Sequence, residues 1–548
     1  MKSSLTSISD NNIIKNYDYE ENSTQIIKKY NNTFKNIQLK NENNLIISPY
    51  NINKTNISNL KLIKNKIKNI NVDVDIDLNE KIENYMLHVG VGGFHRSHQA
   101  YYINKINKLS KSKKWGIIGV GLCEWDKQMY NKLKYQDYMY TLLSRSPNNC
   151  KAEIINSIKD YIFIPESENE INKIINNKIK ILSLTITEKG YYFNSNYNLD
   201  ITNDNIQHDL KKWNKNYGIK NPKTIYGLLS TLTLLRMQKG MDYLTIISCD
   251  NIPNNGSLTK KLLLEFVSYT DKYIYEKIKD NMKFPNTMVD RITPYTKNSD
   301  KFFLQMNYNI IDEVPVIAET YNYWVIEDNY SSIHKPEWKI CEDIIETNNI
   351  EEYEKIKLLL LNSSHSFLAY FSYLFKDMKY VYEASKNDII LDYLNKYMQE
   401  VKESLELKNK NIDKEKYIES TIKRFQNYYI KDELKRIAQD GSQKIKTTLY
   451  ECLIYFYKKD INKPPKFVSL LLALFINYMN PNNEFILDPL KNELVNKNIY
   501  KIKLHEIQDY DIKDFFKLIL DEEIIRWEKL IENIKIEYIK IKRGCLIK

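Results

Sequence analysis

From about residue 85 the apolar positions gather into short, β-branched runs, each stopping in small or polar residues. They are MLHVGVGG (86–93), WGIIGVGL (115–122), KILSLTITEKG (180–190) and DYLTIISCDN (242–251). Continuous apolar runs of this length, bounded by turn formers, predict strands buried on both faces. The stretches between them are long enough for helices, so the alternation predicts a parallel sheet wound on both sides. Ligands bind such sheets beyond the carboxyl ends of the strands. Those ends carry Gly-Val-Gly-Gly, Thr-Glu-Lys-Gly and Ser-Cys-Asp-Asn. Beyond about 346 the strand signal fades and helical patterns take over. They include EEYEKIKLLLLNSSHSFLAYFSYLF, IKDELKRIAQ, FVSLLLALFINYM and IIRWEKLIENIKIEYIKI. Residues 1–50 are Asn- and Lys-rich without sustained periodicity and read as a disordered extension.

Composition narrows the class. The 548 residues, 43% of them hydrophobic, suffice for more than one packed core. Six cysteines without a CxxC pair argue for a reducing compartment, hence a cytoplasmic protein, and against a disulfide or zinc-ribbon scaffold. The N-terminus lacks the apolar core of a signal peptide. The longest apolar run, 467–479, is too short to span a bilayer and predicts a buried helix. The net charge of +11 suits either nucleic acid or a lysine-coated surface. The lysines are scattered among acids, which favours the solvated surface.

Candidate chemistry sits at the strand ends. Gly90, Gly92, Gly93 and Phe94 follow the first strand-like run and precede a helical stretch. A G-x-G turn there brings backbone amides and a helix N-terminus to a pyrophosphate. A plain structural turn fits as well, since His95 stands where the third glycine of the fingerprint belongs. This predicts a Rossmann-like domain over 51–345 and a mainly α-helical domain over 346–548. Asp126, past the second run, suits an adenosine ribose or a solvated loop. His95 and His98 have HxxH spacing but no third ligand nearby, so no metal site is expected. Asn251 can donate to a substrate oxygen, although Asn-Ile-Pro-Asn-Asn-Gly reads first as a turn.

KIKLLLLNSSHS, 355–366, threads an amine, an amide and an imidazole through a core-like segment. At about 100° per residue, Glu354, Lys357, Asn362 and His365 share one arc of about 140° on an α-helix. An apolar wall lowers a lysine's pKa, so Lys357 can take a proton from an alcohol. The competing reading is a lysine snorkelling from a core helix.

Taken together, the motifs resemble the polyol-specific long-chain dehydrogenases, the mannitol 2-dehydrogenase family, which includes fructuronate and tagaturonate reductases. Eight blocks carry the resemblance, in family order: HVGVGGFHRSHQAYY (88–102), WGIIGVGL (115–122), SLTITEKGYY (183–192), SCDNIPNNG (248–256), FPNTMVDRITP (284–294), ETYNYWVIED (319–328), YEKIKLLLLNSSHS (353–366) and IAQDGSQK (437–444). The resemblance implies NAD-dependent interconversion of a polyol and a ketose (mannitol and fructose) without metal, NADP being a possible substitute. It implies Lys357 as general acid/base with Asn251 and Asn362 on the reacting oxygen. It further implies His365, Arg436, Asp290 and Lys444 as substrate-binding, Glu354 as a proton path, and Asp126 near the ribose. Trp125 stands where some members have a second acid, and IKTTLYE replaces a Pro-rich segment after DGSQK. A hexuronate keto-acid reductase is the alternative within the family, and a nucleic-acid-binding protein on a dehydrogenase scaffold a remote one. The expected partner is a small polyol or ketose, with no nucleic acid, no membrane and a monomeric chain.

Overall fold

The computed structural model describes residues 39–40, 46–47, 50–53, 72–74, 76–111, 114–147, 149–194, 196–375, 377–410 and 412–546. Residues 1–50, read above as a disordered extension, fall almost entirely outside this set. Within it, Leu39–Lys40 pairs with Ile46–Ile47, and Tyr50–Asn51 pairs with Ile310–Ile311.

Five parallel strands form the central sheet: β1 (Ile82–Val89), β2 (Lys114–Gly121), β3 (Ile158–Phe163), β4 (Ile179–Leu184) and β5 (Thr245–Ser248). Their spatial order is β5-β4-β1-β2-β3. The order reverses between β1 and β4, which makes the doubly wound Rossmann arrangement with its crevice at that switch point. All four strand-like runs of the sequence lie in this sheet; β3 was not among them.

Alternation along the strands explains why both faces are apolar. Leu87, Val89, Leu182, Leu184 and Ile246 enter one core. Met86, Ile181 and Ile247 enter the core on the opposite face. Two short helices follow β1, α1 (Gly93–Ser97) and α2 (Gln99–Leu109), and α3 (Asn255–Ser268) follows β5. A smaller mixed sheet joins β6 (Thr287–Asp290), β8 (Tyr323–Glu327) and β9 (Ile344–Thr347). Strand β7 (Val316–Glu319) instead pairs in parallel with Tyr140–Ser146.

After Thr347 the named elements of the described chain are helical. The segment that read as one α-helix is three pieces: α4 (Glu351–Ile356), a π-helical turn over Lys357–Asn362, and α5 (Ser363–Ser372). Further along come α6 (Lys414–Phe425), α7 (Gly441–Lys459), α8 (Lys466–Tyr478) and α9 (Glu528–Lys542). The 467–479 run forms α8, buried continuously from Val468 to Tyr478. IKDELKRIAQ, by contrast, keeps only the helical turn Leu434–Ile437. These helices pack around a separate core that includes Leu360, Phe367, Leu472 and Leu530. Among the described residues no helix is long and apolar enough to cross a membrane.

Candidate active site

The turn after β1 explains its glycines. Gly90 has φ +92°, and a Cβ there would lie 2.1 Å from the Thr185 carbonyl oxygen. The end of β1 thus approaches the end of β4 more closely than any side chain permits. Gly92 and Gly93 differ. A Cβ on Gly92 would meet only the Gly90 carbonyl at 3.8 Å, and one on Gly93 only Thr293 at 3.7 Å. Those two glycines therefore leave open space above the turn, at the entry to α1, with the Gly92 N–H itself donating to the Gly90 carbonyl at 2.7 Å. Phe94 stacks on His98, with ring centroids 5.0 Å apart. Asp126 Oδ2 accepts the Leu122 and Cys123 N–H groups at 2.9 and 3.0 Å and so ties down the end of β2. Burial raises its pKa against those two donors.

The histidines of the HxxH pattern point to different partners. His98 bonds the Tyr323 carbonyl and Gln99. His95 is fully buried and stacks on His88 at 3.3 Å between centroids. Neither His95 nitrogen has a hydrogen-bond partner among the described residues. His88 in turn bonds Ser183 and Thr185 on β4 and just past its end.

Beyond β5 the Ser-Cys-Asp-Asn stretch is a turn built around Asp250. Its carboxylate accepts the Ile186 and Thr187 N–H groups and the Tyr191 hydroxyl, at 2.9, 2.8 and 2.7 Å. The next residue, Asn251, is solvent-facing. It borders an open cleft with Pro253, Met288, Val289, Glu354 and Lys357.

Lys357 supplies the wall of this cleft from the helical domain. The residue is 8% exposed. Its Nζ donates to Asn251 Oδ1 at 2.6 Å and to the Val289 carbonyl at 2.7 Å. Burial lowers its pKa; Asp290 and Glu354 oppose the shift and Arg424 adds to it. On the same cleft, Glu354 accepts the Asn254 N–H at 3.3 Å, and burial pushes its carboxyl up to about 7.

The π-turn corrects the helical arithmetic. On an α-helix, residue 362 would sit about 140° around from residue 357. The i→i+5 pattern of a π-turn instead stacks residue 362 above residue 357. Asn362, half-buried, is thereby brought round toward the lysine's face. His365 follows three residues later on α5, again on that side. Its ring packs on Phe425 at 4.4 Å, and its Nε2 has no hydrogen-bond partner among the described residues. Burial holds the imidazole far below its usual pKa, helped by Arg436, Arg424 and Lys444.

The remaining expected residues divide. Arg436, largely exposed, pairs with Asp432. Lys444 Nζ donates to the Ile437 carbonyl at 2.8 Å, and burial lowers its pKa. Both exert a field on His365. Asp290 presents its two carboxylate oxygens to Arg424 at 2.6 and 2.8 Å. The sequence reading missed Arg424, and missed that Glu319 shares its guanidinium. One signal was available. On amphipathic α6 the buried positions are Ile418, Thr421, Arg424 and Phe425, so a cation sits on the apolar stripe.

Comparison with known proteins identifies the family. Residues 84–340 match the mannitol dehydrogenase Rossmann domain, and 349–538 match the mannitol dehydrogenase C-terminal domain. The mannitol 2-dehydrogenase of Neosartorya fischeri is 40% identical over 365 residues, which is 66% of this chain and 71% of that protein. The chain belongs to the mannitol dehydrogenase family. Another member, the mannitol 2-dehydrogenase of Aspergillus oryzae, is 36% identical over 75% of this chain and 82% of its own length. Among solved structures, the Pseudomonas fluorescens mannitol 2-dehydrogenase in ternary complex with NAD and D-mannitol superposes with a TM-score of 0.76. It is 28% identical, over 91% of this chain and 98% of that one. A D-sorbitol dehydrogenase in substrate-free form shares the fold, with a TM-score of 0.75 at 24% identity. In this family the Rossmann-like and helical domains seen here are the two family domains, and the chain is a dehydrogenase.

Proposed function

We propose that this dehydrogenase interconverts mannitol and fructose with NAD, using Lys357 as general acid/base. The observation that carries the reading is the placement of the Lys357 amine. It is buried, its pKa is lowered, and two of its N–H bonds are spent on Asn251 Oδ1 and the Val289 carbonyl. A neutral amine has two N–H groups and one lone pair. With both N–H groups engaged, the lone pair is the only remaining direction, and it is free to take a hydroxyl proton.

Because Asn251 Oδ1 accepts from Lys357, its amide NH₂ is turned away from the lysine and available to the substrate oxygen. The Asn362 amide is the second donor. Two such donors stabilise the charge that develops on the oxygen as its proton leaves. Glu354, with its carboxyl near neutrality, borders the same cleft and passes the proton between Lys357 and water. His365, Arg436, Lys444 and Asp290 bind the remaining hydroxyls. A lysine, not a metal-bound hydroxide, is the base in this reading.

The cradle left by Gly92 and Gly93 fits a pyrophosphate, with Gly90 and Phe94 shaping the turn and Asp126 beside the ribose. NAD held there would supply the acceptor for the hydride that leaves the carbinol carbon. In ketose reduction Lys357 starts as the ammonium and gives its proton to the oxygen, so reduction is expected to prefer lower pH than oxidation. The test is a panel of polyols and aldonates with NAD and with NADP, following absorbance of the reduced cofactor. Oxidation of mannitol with NAD is the expected result. Oxidation of mannonate but not mannitol would transfer the assignment to a hexuronate keto-acid reductase.

A further inference from the structure

A buried charge cluster beside the cleft centres on Arg424, which has no role assigned so far, and takes in Asp290 from the substrate-binding set. Arg424 projects from α6 into the seam between the domains. It holds Asp290, at the end of β6, through Nη1 and Nη2, and Glu319, at the end of β7, through Nε at 3.0 Å and Nη2 at 2.8 Å. The side chains of Arg424, Asp290 and Glu319 are 6%, 4% and 2% exposed. The Tyr321 ring closes one face of the guanidinium, 4.0 Å from its carbon. Glu319 Oε1 also accepts the Ile292 N–H at 2.6 Å. Buried Arg291 donates to the Glu319 backbone carbonyl and so ties the same strand end from the other side.

This cluster adjoins both halves of the site. Asp290 follows Val289, whose carbonyl accepts from Lys357 Nζ. Phe425, next to Arg424, packs on His365. We infer that Arg424 is a positioning residue for the general base. By neutralising Asp290 and locking β6, β7 and α6 together, it keeps the lysine amine beside a carboxylate without letting that carboxylate hold the amine as the ammonium. The inference rests on Lys357 being the base.

The charged groups facing Lys357 are Asp290 from β6, Arg424 from α6 and Glu354 from its own helix; the neutral ring of His98 lies on the α1–α2 side. Arg424 is a like charge that favours the neutral amine, and Asp290 an opposite charge that favours the ammonium. Removing Arg424 takes away the first effect and strengthens the second. A residue that served packing alone would alter the amount of folded enzyme and leave the pH profile where it was.

The test is the pH profile of kcat/KM for polyol oxidation in R424M, R424K and D290N. In R424M the acidic limb is expected to move to higher pH by about one unit, so that activity well below the limb falls about tenfold. R424K keeps the charge and should return the limb most of the way. D290N should move the limb the other way, and it covers the case in which R424M does not fold. Coincident limbs in wild type and R424M, or in wild type and D290N if R424M is insoluble, would overturn the inference and leave the lysine mechanism standing. A wild-type enzyme without polyol-dependent NAD reduction would remove the lysine reading, and this inference with it.

Discussion

Lys357→Ala isolates the amine from everything else in the cleft. General acid/base catalysis typically contributes about 10²–10⁴ in rate, or about 2.7–5.4 kcal/mol of barrier at about 1.36 kcal/mol per decade. The structural cost should be smaller. One acceptor of Lys357, Asn251 Oδ1, belongs to a solvent-facing residue on an open cleft, so water can replace the amine there. The other, the Val289 carbonyl, loses its donor, at a cost below that of an unsatisfied buried group, about 1–3 kcal/mol, since water can follow into the vacated space. Asp290 keeps its Arg424 partner, so no buried carboxylate is stranded. The expected variant is folded, melts a few degrees lower, binds NAD as the wild type does, and oxidises mannitol 10²–10⁴-fold more slowly. The space vacated opens to solvent, so methylamine in the buffer should restore part of the rate, more at high pH, where it is neutral. The assay is steady-state cofactor reduction with and without methylamine, beside thermal unfolding and NAD titration. A folded variant with kcat/KM within tenfold of wild type would refute the proton count on which the mechanism is built.

Two further outcomes follow from local geometry. Gly90→Ala and Gly92→Ala should separate fold from cofactor binding. The first forces a Cβ onto the Thr185 carbonyl at φ +92°, with backbone strain of about 1–3 kcal/mol, and should lower Tm and raise KM for NAD together. The second meets nothing nearer than 3.8 Å and should raise KM for NAD with Tm unchanged, as thermal melts and cofactor titration would show. Glu354→Gln concerns stability against pH. A carboxyl raised from 4.5 to about 7 in the fold gives stability that is complete below 4.5 and is lost as pH rises through about 7. Wild type should therefore lose more Tm than E354Q between pH 5 and 9, and parallel Tm–pH curves would contradict this.

The strands of the central sheet were legible because each is buried on both faces and so reads as an unbroken apolar run ending in turn residues. Four of the five were visible in this way. IKDYIF, residues 158–163, escaped because Lys159 and Asp160 break its run and the burial pattern is mixed at that end. The glycine turn was legible as a pattern, but three equivalent-looking glycines proved to do two jobs. Only Gly90 is compelled by the backbone, since only there do two strand ends close on each other. In the helical half, the single long helix expected from the spacing became α4, a π-turn and α5. Four consecutive leucines satisfy either periodicity, so the sequence carried no mark of the extra residue in that turn.

By itself, then, the sequence determined the sheet, the helical half, and which polar residues interrupt apolar segments. Those properties come from local burial, which leaves its period in the chain. The tertiary structure alone decided how the polar groups are shared. That Lys357 spends two donors, that Asp290 faces Arg424, and that Glu319 completes the pair depend on residues 68 to 134 positions apart. Nothing in a one-dimensional pattern records which of many acids a buried guanidinium will meet. The choice is made where desolvation leaves each charge no water to turn to, and only the folded chain creates that place.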